Sequence, residues 1–363
     1  MRIVLTGGGT GGHAYPAISI AEALHAEFPE CELLYMGGRE SLEARLAAAA
    51  GIPFCELSSR RLGKVFSPGS VLTLASLARG FAEALAVLRR FRPDLVISTG
   101  GYASAAVVLA QALRRGKILM HEQNVVPGRT NLWLGRFASR ICLTFEDSSR
   151  YFPSGKTVVT GLPIRKECLD LPDKKEARAA LGLDPDKLTI LVYGGSQGAR
   201  KLNEVIADSI PALRELPVQV VHQAGRRNIE EAERRRESAG WDHYQVHAYF
   251  EETRTVYGAA DLVVCRCGAS TVSEVAAVGL PAILVPYPYA YADHQRLNAE
   301  FVARHGGGIV ISEADLNPES LTRVIGELVR SPEELEKMSK ASRALGKPNA
   351  ARDMAMVAAE VMK

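Results

Sequence analysis

Short apolar runs alternate with amphipathic stretches along the whole chain. Runs of strand length fall at 2–6, 32–36, 94–98, 117–120, 140–144 and 157–160, then at 188–193, 218–222, 244–248, 261–265, 281–285 and 308–311. Most are bounded by Gly or Pro and followed by a segment with a period near 3.6. Strands that alternate with helices predict parallel sheets in an α/β protein. Twelve candidate strands exceed the usual about four to six of one open sheet, so two sheets are expected.

The two halves echo each other. IVLTGGGTGGHAYPAISIAEAL near the start reads strand, Gly-rich loop, helix, and LTILVYGGSQGARKLNEVIADSI from residue 188 reads the same. With 363 residues and about 150 per domain, this repeat predicts two Rossmann-like domains in tandem, joined near GLPIR at 161–165. Residues 349–362 read as one more helix. Facing domains would make a cleft into which each sheet turns the loops at its strands' carboxyl ends, where open α/β sheets bind ligands.

Composition narrows the class. Hydrophobic residues at 47% and charged residues at 23% exclude a mostly disordered chain. A net charge of +3 carries no nucleic-acid signature. The six cysteines, at 31, 55, 142, 168, 265 and 267, form no CxxC and no zinc spacing, which suits a reducing cytosol. The chain opens directly on a strand-like run, so no secretory leader is expected. The longest uncharged run, 275–292, contains Gly279, Pro281, Pro286 and Pro288. It therefore reads as helix end, buried strand and loop rather than a membrane span.

The 32 glycines cluster in loops. Gly7, Gly9 and Gly12 satisfy G-x-G-x-x-G, but the second strand ends LLYMGG with no acid for a ribose, so a nicotinamide or flavin is not expected. Bare amides at a helix N-terminus still favour phosphate; a tight turn is the alternative. His13 ends this loop. A helix N-terminus lowers a histidine pKa and favours a neutral ring able to accept a proton; a packing role is the alternative. HEQN at 121–124 places four polar residues at a strand's carboxyl end, suited to hydrogen-bonding a ligand or to a solvated loop. In CRCGASTVSE at 265–274, Thr271 and Glu274 have capping-box spacing. The competing reading puts a diphosphate on the amides of 269–271 beside Arg266, with Glu274 on ribose hydroxyls.

Other motifs read as bland. Asp184-Pro-Asp186 is a D-x-D that reads as a turn. His243 and His247 lie on a strand pattern, which argues against a metal pair. The GKT at 155–157 fails as a P-loop because position 150 is Arg. Residues 60–92 carry seven basic side chains and one acid, net +6. Apolar residues at 74, 77, 81, 85 and 88 form a helical stripe suited to a core. Val65, Phe66, Val71 and Leu72, with the basic residues, suit either an anionic membrane surface or a solvated face.

GGGTGGHAYP, HEQN, GLPIR, GGSQGAR, CRCGASTVSE and DHQRLNA occur in that order across residues 7–299. The set closely resembles the MurG family of peptidoglycan N-acetylglucosaminyltransferases, over essentially the whole chain. The resemblance implies a GT-B fold whose last helix returns to the first domain, giving domains 1–161 plus 345–363 and 162–344. It implies inverting transfer of GlcNAc from UDP-GlcNAc to the MurNAc 4-hydroxyl of lipid I, forming lipid II on the cytoplasmic face of the bacterial membrane. It implies no cofactor and no metal, and partners that include an anionic membrane surface but no nucleic acid. Donor contacts implied are Thr10, Gly11, Gly12, Asn124, Arg165, Ser196, Phe250 through its backbone, Arg266, Ala269, Ser270, Thr271, Glu274, His294 and Gln295. Acceptor contacts implied are Thr10, Gly11, His13 and Tyr102. His13 is the first choice of base and Glu122 the second. The sequence departs from the family at Leu162, where Asn is common, so a changed hinge contact is expected. Segment 287–292 is unusually aromatic. A UDP-GlcNAc 2-epimerase of the same architecture, or a non-catalytic nucleotide-sugar-binding protein, are the alternatives.

Overall fold

Continuous apolar runs become the inner strands of two parallel sheets. The computed structural model describes residues 1–58, 68–195 and 198–363, with side chains at 68–75 outside the described set. The chain divides into one unit of Met1–Arg165 with Lys347–Lys363 and a second of Lys166–Gly346. The joins expected from sequence lie a few residues before these.

In the first unit, β1 (Arg2–Thr6), α1 (Gly11–Glu27), β2 (Glu32–Gly38), α2 (Leu42–Ala49), β3 (Phe54–Leu57), α3 (Pro68–Phe91), β4 (Leu95–Ser98), α4 (Ser104–Leu113), β5 (Lys117–Glu122), α5 (Arg129–Leu134), β6 (Arg140–Leu143) and β7 (Thr157–Val159) follow in turn. All sheet pairings are parallel, in the order β3-β2-β1-β4-β5-β6-β7. Alternate β1 residues face opposite layers. Ile3 and Leu5 pack with Ile20 and Leu24 of α1, while Val4 packs with Ala84 and Leu88 of α3 and Val107 of α4. Burial on both faces explains why these strands lack polar alternation. The expected stripe on α3 is core at Leu88, with Phe81 and Leu85 packed beside it.

The second unit runs α6 (Lys174–Ala180), β8 (Leu188–Tyr193), α7 (Arg200–Leu213), β9 (Val218–Gln223), α8 (Ile229–Ala239), β10 (Tyr244–His247), α9 (Thr253–Ala259), β11 (Leu262–Cys265), α10 (Ala269–Val278), β12 (Ala282–Leu284), α11 (His294–Arg304), β13 (Gly308–Val310), α12 (Pro318–Val329) and α13 (Pro332–Leu345). Its parallel sheet has the order β10-β9-β8-β11-β12-β13. The last helix, α14 (Ala350–Met362), belongs to the first unit, where Met354, Ala355 and Ala358 join the α1 core.

One strand was not legible in the sequence. β3 is four residues at the sheet edge, with Glu56 exposed and Phe54 and Cys55 half-buried; its pairing with β2, not an apolar run, makes it a strand. In each sheet the order reverses beside the unit's first strand, between β1 and β4 and between β8 and β11. Loops leaving the carboxyl ends at such a switch point are the standard ligand-binding position of open α/β sheets.

Candidate active site

In the first unit the loops after β1 and β4 interlock. Gly8 N–H donates to the Gly100 carbonyl at 3.3 Å and Thr99 N–H to the Thr6 carbonyl at 3.0 Å. Gly101 has φ +88°, and a Cβ there would lie 2.1 Å from the Gly8 carbonyl oxygen, so glycine is required. The Tyr102 ring packs on Gly9. The Tyr35 hydroxyl donates to the Gly7 carbonyl at 2.5 Å, and the buried Glu43 carboxylate accepts from the Gly9 and Gly38 N–H groups, each at 3.4 Å. Thr10 is the N-cap of α1 but makes no side-chain cap, and the first turn carries no acid. Thr10 and Gly12 are exposed and Gly11 is half-buried. An end without a side-chain cap suits an anionic oxygen.

His13 Nδ1 lies 2.8 Å from the Thr99 carbonyl oxygen. A carbonyl only accepts, so Nδ1 carries the proton and Nε2 keeps the lone pair. The Thr99 hydroxyl donates back to the His13 carbonyl at 2.7 Å. The His13 pKa is lowered, as the sequence argument expects, but its chief cause is burial; the Thr99 carbonyl, Gln123 and Glu43 oppose it.

The HEQN segment requires a correction. His121, Glu122 and Gln123 are buried, and only Asn124 is half-exposed. The Glu122 carboxylate accepts from Asn124 N–H at 2.9 Å, Gly128 N–H at 3.3 Å and Asn131 Nδ2 at 2.8 Å. Burial pushes its pKa up to about 7 against these donors. With 1% exposure and its oxygens engaged, Glu122 ties the loop after β5 and is not placed as a base.

In the second unit, buried Gln223 at the end of β9 links two loops. Its Oε1 accepts from Phe250 N–H at 2.9 Å and its Nε2 donates to the Gly195 carbonyl at 3.2 Å. The N-terminus of α10 is capped by Gly268 without a side-chain bond; Ala269 is buried, and Ser270 and Thr271 are half-buried. The expected capping box is therefore absent. The helix begins two residues before Thr271, and Glu274 turns inward to accept from the Tyr257 hydroxyl at 2.9 Å. Arg266 is also redirected: its guanidinium pairs with Glu313 and donates to the Val285 and Pro286 carbonyls, each at 3.2 Å. Gln295 Oε1 accepts from Cys267 N–H at 3.1 Å and Tyr287 N–H at 3.0 Å, drawing together the loops after β11 and β12. His294 Nδ1 meets the Tyr291 carbonyl at 2.8 Å. Just before these two residues, Ala292 and Asp293 hold left-handed backbone at φ +49° and +56°. Such strain in non-glycine residues concentrates at functional loops.

The glycosyltransferase family 28 N-terminal domain profile matches residues 3–143 and the family 28 C-terminal domain profile residues 189–354. A UDP-N-acetylglucosamine–N-acetylmuramyl-(pentapeptide) pyrophosphoryl-undecaprenol N-acetylglucosamine transferase from Desulforudis audaxviator is 40% identical over 96% of this chain and 95% of its own length. Its namesake from Moorella thermoacetica is 41% identical over 96% of each. The crystal structure of Acinetobacter baumannii MurG aligns over 99% of both chains with a TM-score of 0.80 at 29% identity. The chain belongs to the MurG family. It is a glycosyltransferase, and its two parallel-sheet Rossmann-like domains are those of the GT-B architecture. A UDP-GlcNAc 2-epimerase from Neisseria meningitidis has a TM-score of 0.71 at 13% identity, a likeness of fold alone.

Within this MurG-family chain, Thr10, Gly11, Gly12, His13 and Tyr102 come together at the first unit's switch point. Phe250, Ala269, Ser270, Thr271, His294 and Gln295 lie on loops or helix starts after the second sheet's strands. Arg165 ends the first unit, its guanidinium 5.6 Å from the centre of the Tyr15 ring. Ser196 lies outside the described residues. Leu162 is buried. Asp184 and Asp186 form a turn in which Asp186 N–H donates to Asp184 Oδ1 at 3.0 Å, before the amino end of β8. Among the described residues no group of three His, Cys, Asp or Glu could hold a metal. A cavity of about 500 Å³ lined by Lys174, Arg178, Asp261 and Arg343 lies at the amino ends of β8, β11 and β12, opposite the switch-point loops. Sequence reading missed Thr99, Gly100, Gly101, Glu43 and Gln223 as parts of these sites. Only the STGG at 98–101 carried a local signal, a glycine pair after a strand.

Proposed function

We propose that the chain transfers GlcNAc from UDP-GlcNAc to the 4-hydroxyl of MurNAc in lipid I, inverting the anomeric centre and releasing UDP and lipid II. The donor and acceptor are those in its relatives' names. One observation carries the mechanism: His13, at the start of α1, has Nδ1 2.8 Å from the Thr99 carbonyl, which holds the Nδ1–H tautomer and leaves the lone pair on Nε2. Nε2 takes the proton of the acceptor hydroxyl as its oxygen bonds to the anomeric carbon. The bond from that carbon to the diphosphate oxygen breaks, and the electron pair leaves with UDP. The first-turn amides of α10, with Arg165, stabilise the charge on the leaving phosphate. The uridine lies along the Phe250 segment, Glu274 serves the ribose, and Gln295, whose Oε1 is used internally, offers its Nε2 to the sugar.

The acceptor's polyprenyl chain requires work beside a bilayer, and no helix among the described residues is long and apolar enough to cross one. We place peripheral docking on the basic segment 60–92, on the cytoplasmic face. Arg60, Arg61, Lys64, Val65 and Phe66 lie outside the described residues. Arg79, Arg89, Arg90 and Arg92 are exposed. In the same layer as α3, exposed Leu132, Trp133 and Phe137 lie with Arg136, whose guanidinium is 4.9 Å from the Trp133 ring centre. Basic and apolar groups together suit anionic lipid.

Purified protein with UDP-GlcNAc and a lipid I analogue tests the reaction. UDP release should require the acceptor and yield the disaccharide lipid. Conversion of UDP-GlcNAc to its 2-epimer without acceptor would support the epimerase instead. Reversing Arg60, Arg61 and Lys64 to Glu should reduce sedimentation with anionic vesicles while sparing a water-soluble acceptor; undiminished sedimentation would move docking elsewhere.

A further inference from the structure

Two buried oxygens near the end of β5 have no hydrogen-bond partner: Gln123 Oε1, on a side chain that acts on His13, and Asn131 Oδ1, which packs against Gly100. Orphaned buried acceptors are uncommon and mark strain or a function not engaged in the resting state. The surrounding bonds fix the orientation of the Gln123 carboxamide. His121 Nε2 lies 2.9 Å from the Gly161 carbonyl, so Nε2 carries the proton and Nδ1 the lone pair. Burial keeps this ring neutral, its pKa lowered to about 4. The lone pair faces the Gln123 amide nitrogen at 3.2 Å, which donates to it. The same nitrogen donates to the Thr99 carbonyl at 2.6 Å. Both amide hydrogens are thereby used, and Oε1 is the end left over. The shared Thr99 carbonyl is the atom that holds His13 Nδ1–H.

We propose that Gln123 is a positioning residue for the base: through the Thr99 carbonyl it fixes the Nδ1–H tautomer of His13, and its Oε1 waits as an acceptor for the imidazolium formed when Nε2 takes the hydroxyl proton. The proposal rests on the reading of His13 as base. The carboxamide faces His13 and favours its charged form, so the interaction strengthens as charge develops, which is the kind that accelerates a reaction. Asn131 holds the same strand end, donating to the His121 carbonyl at 3.0 Å and to Glu122. The titratable group acting on His13 is Glu43 from α2, and His13 in turn disfavours charge on His121 of β5.

Nitrogen-15 NMR of the full chain reads the tautomer without a variant: His13 should carry its proton on Nδ1 at neutral pH. Gln123→Met keeps the length and removes both donors and the acceptor. It should lower kcat about 10–100-fold, the usual effect of losing an orienting partner, with the KM for UDP-GlcNAc within about twofold. It should also give a mixed His13 tautomer and move the acidic limb of the kcat profile down. Gln123→Glu restores an acceptor and should move that limb up. If Gln123→Met does not fold, the parent tautomer and the Gln123→Glu profile decide. A proton on Nε2 in the parent overturns the proposal, as do parent-like turnover and profile in folded Gln123→Met. Failure of the base reading is seen separately, as parent-like turnover in His13→Ala.

Discussion

Gly101→Ala tests whether the interlocked loops of the first unit set the site. Alanine at a left-handed φ costs about 1–2 kcal/mol. The new Cβ would also meet the Gly8 carbonyl oxygen at 2.1 Å, and backbone cannot swing aside like a side-chain tip. Overpacking of this kind costs about 1–3 kcal/mol, so the total loss should be about 2–5 kcal/mol. Gly8 lies between Gly7 and Gly9 in the loop that leads to His13, so relief by a shift of order 1 Å should lower turnover about 100-fold. Gly51 is the matched control: its φ is +67°, with nothing within 4 Å of an added Cβ. Gly51→Ala should show only the conformational cost of about 1–2 kcal/mol and parent-like turnover. Urea unfolding and UDP-release assays measure both variants. The reasoning is refuted if Gly101→Ala matches Gly51→Ala in stability and turnover.

Burial raises Glu122 from 4.5 to about 7. A carboxyl with a raised folded pKa binds its proton more tightly folded than unfolded, so its contribution to stability falls as pH rises through that window, by roughly 3 kcal/mol. The stability gap between parent and Glu122→Gln, read by urea unfolding, should change by this amount across the window; a constant gap would contradict it. Gln223→Leu leaves the Phe250 N–H and the Gly195 carbonyl unpaired and should weaken UDP binding by about 1–3 kcal/mol; unchanged calorimetry would detach Gln223 from the donor site. Turnover should survive EDTA, and loss with rescue by magnesium or manganese would count against stabilisation of the leaving group by amides and arginine.

Much of the architecture was legible because glycine loops directly follow apolar runs in both halves, and that repeat locates β1, β8 and the helices after them. β3 escaped because an edge strand of four residues is made by its neighbour. The site was legible as places rather than as contacts. GGGTGGH announces an anion-binding turn, but its lock on Gly100 and Gly101 joins residues some 90 positions apart, beyond any local pattern. HEQN reads as polar, yet polarity cannot distinguish ligand-facing groups from a buried network satisfied by Asn131 and Gly128. The capping-box spacing of Thr271 and Glu274 is real, but the helix starts earlier, at Ala269, so Glu274 bonds Tyr257 instead of the helix end.

The central claim is that His13 removes the acceptor proton while the donor is held by other residues. The most direct measurement is turnover of His13→Ala with UDP-GlcNAc and a lipid I analogue, alongside UDP affinity of the same protein. The account predicts a fall of about 10²–10⁴-fold in kcat, the usual contribution of a positioned general base, with UDP binding unchanged. Turnover near that of the parent would contradict it.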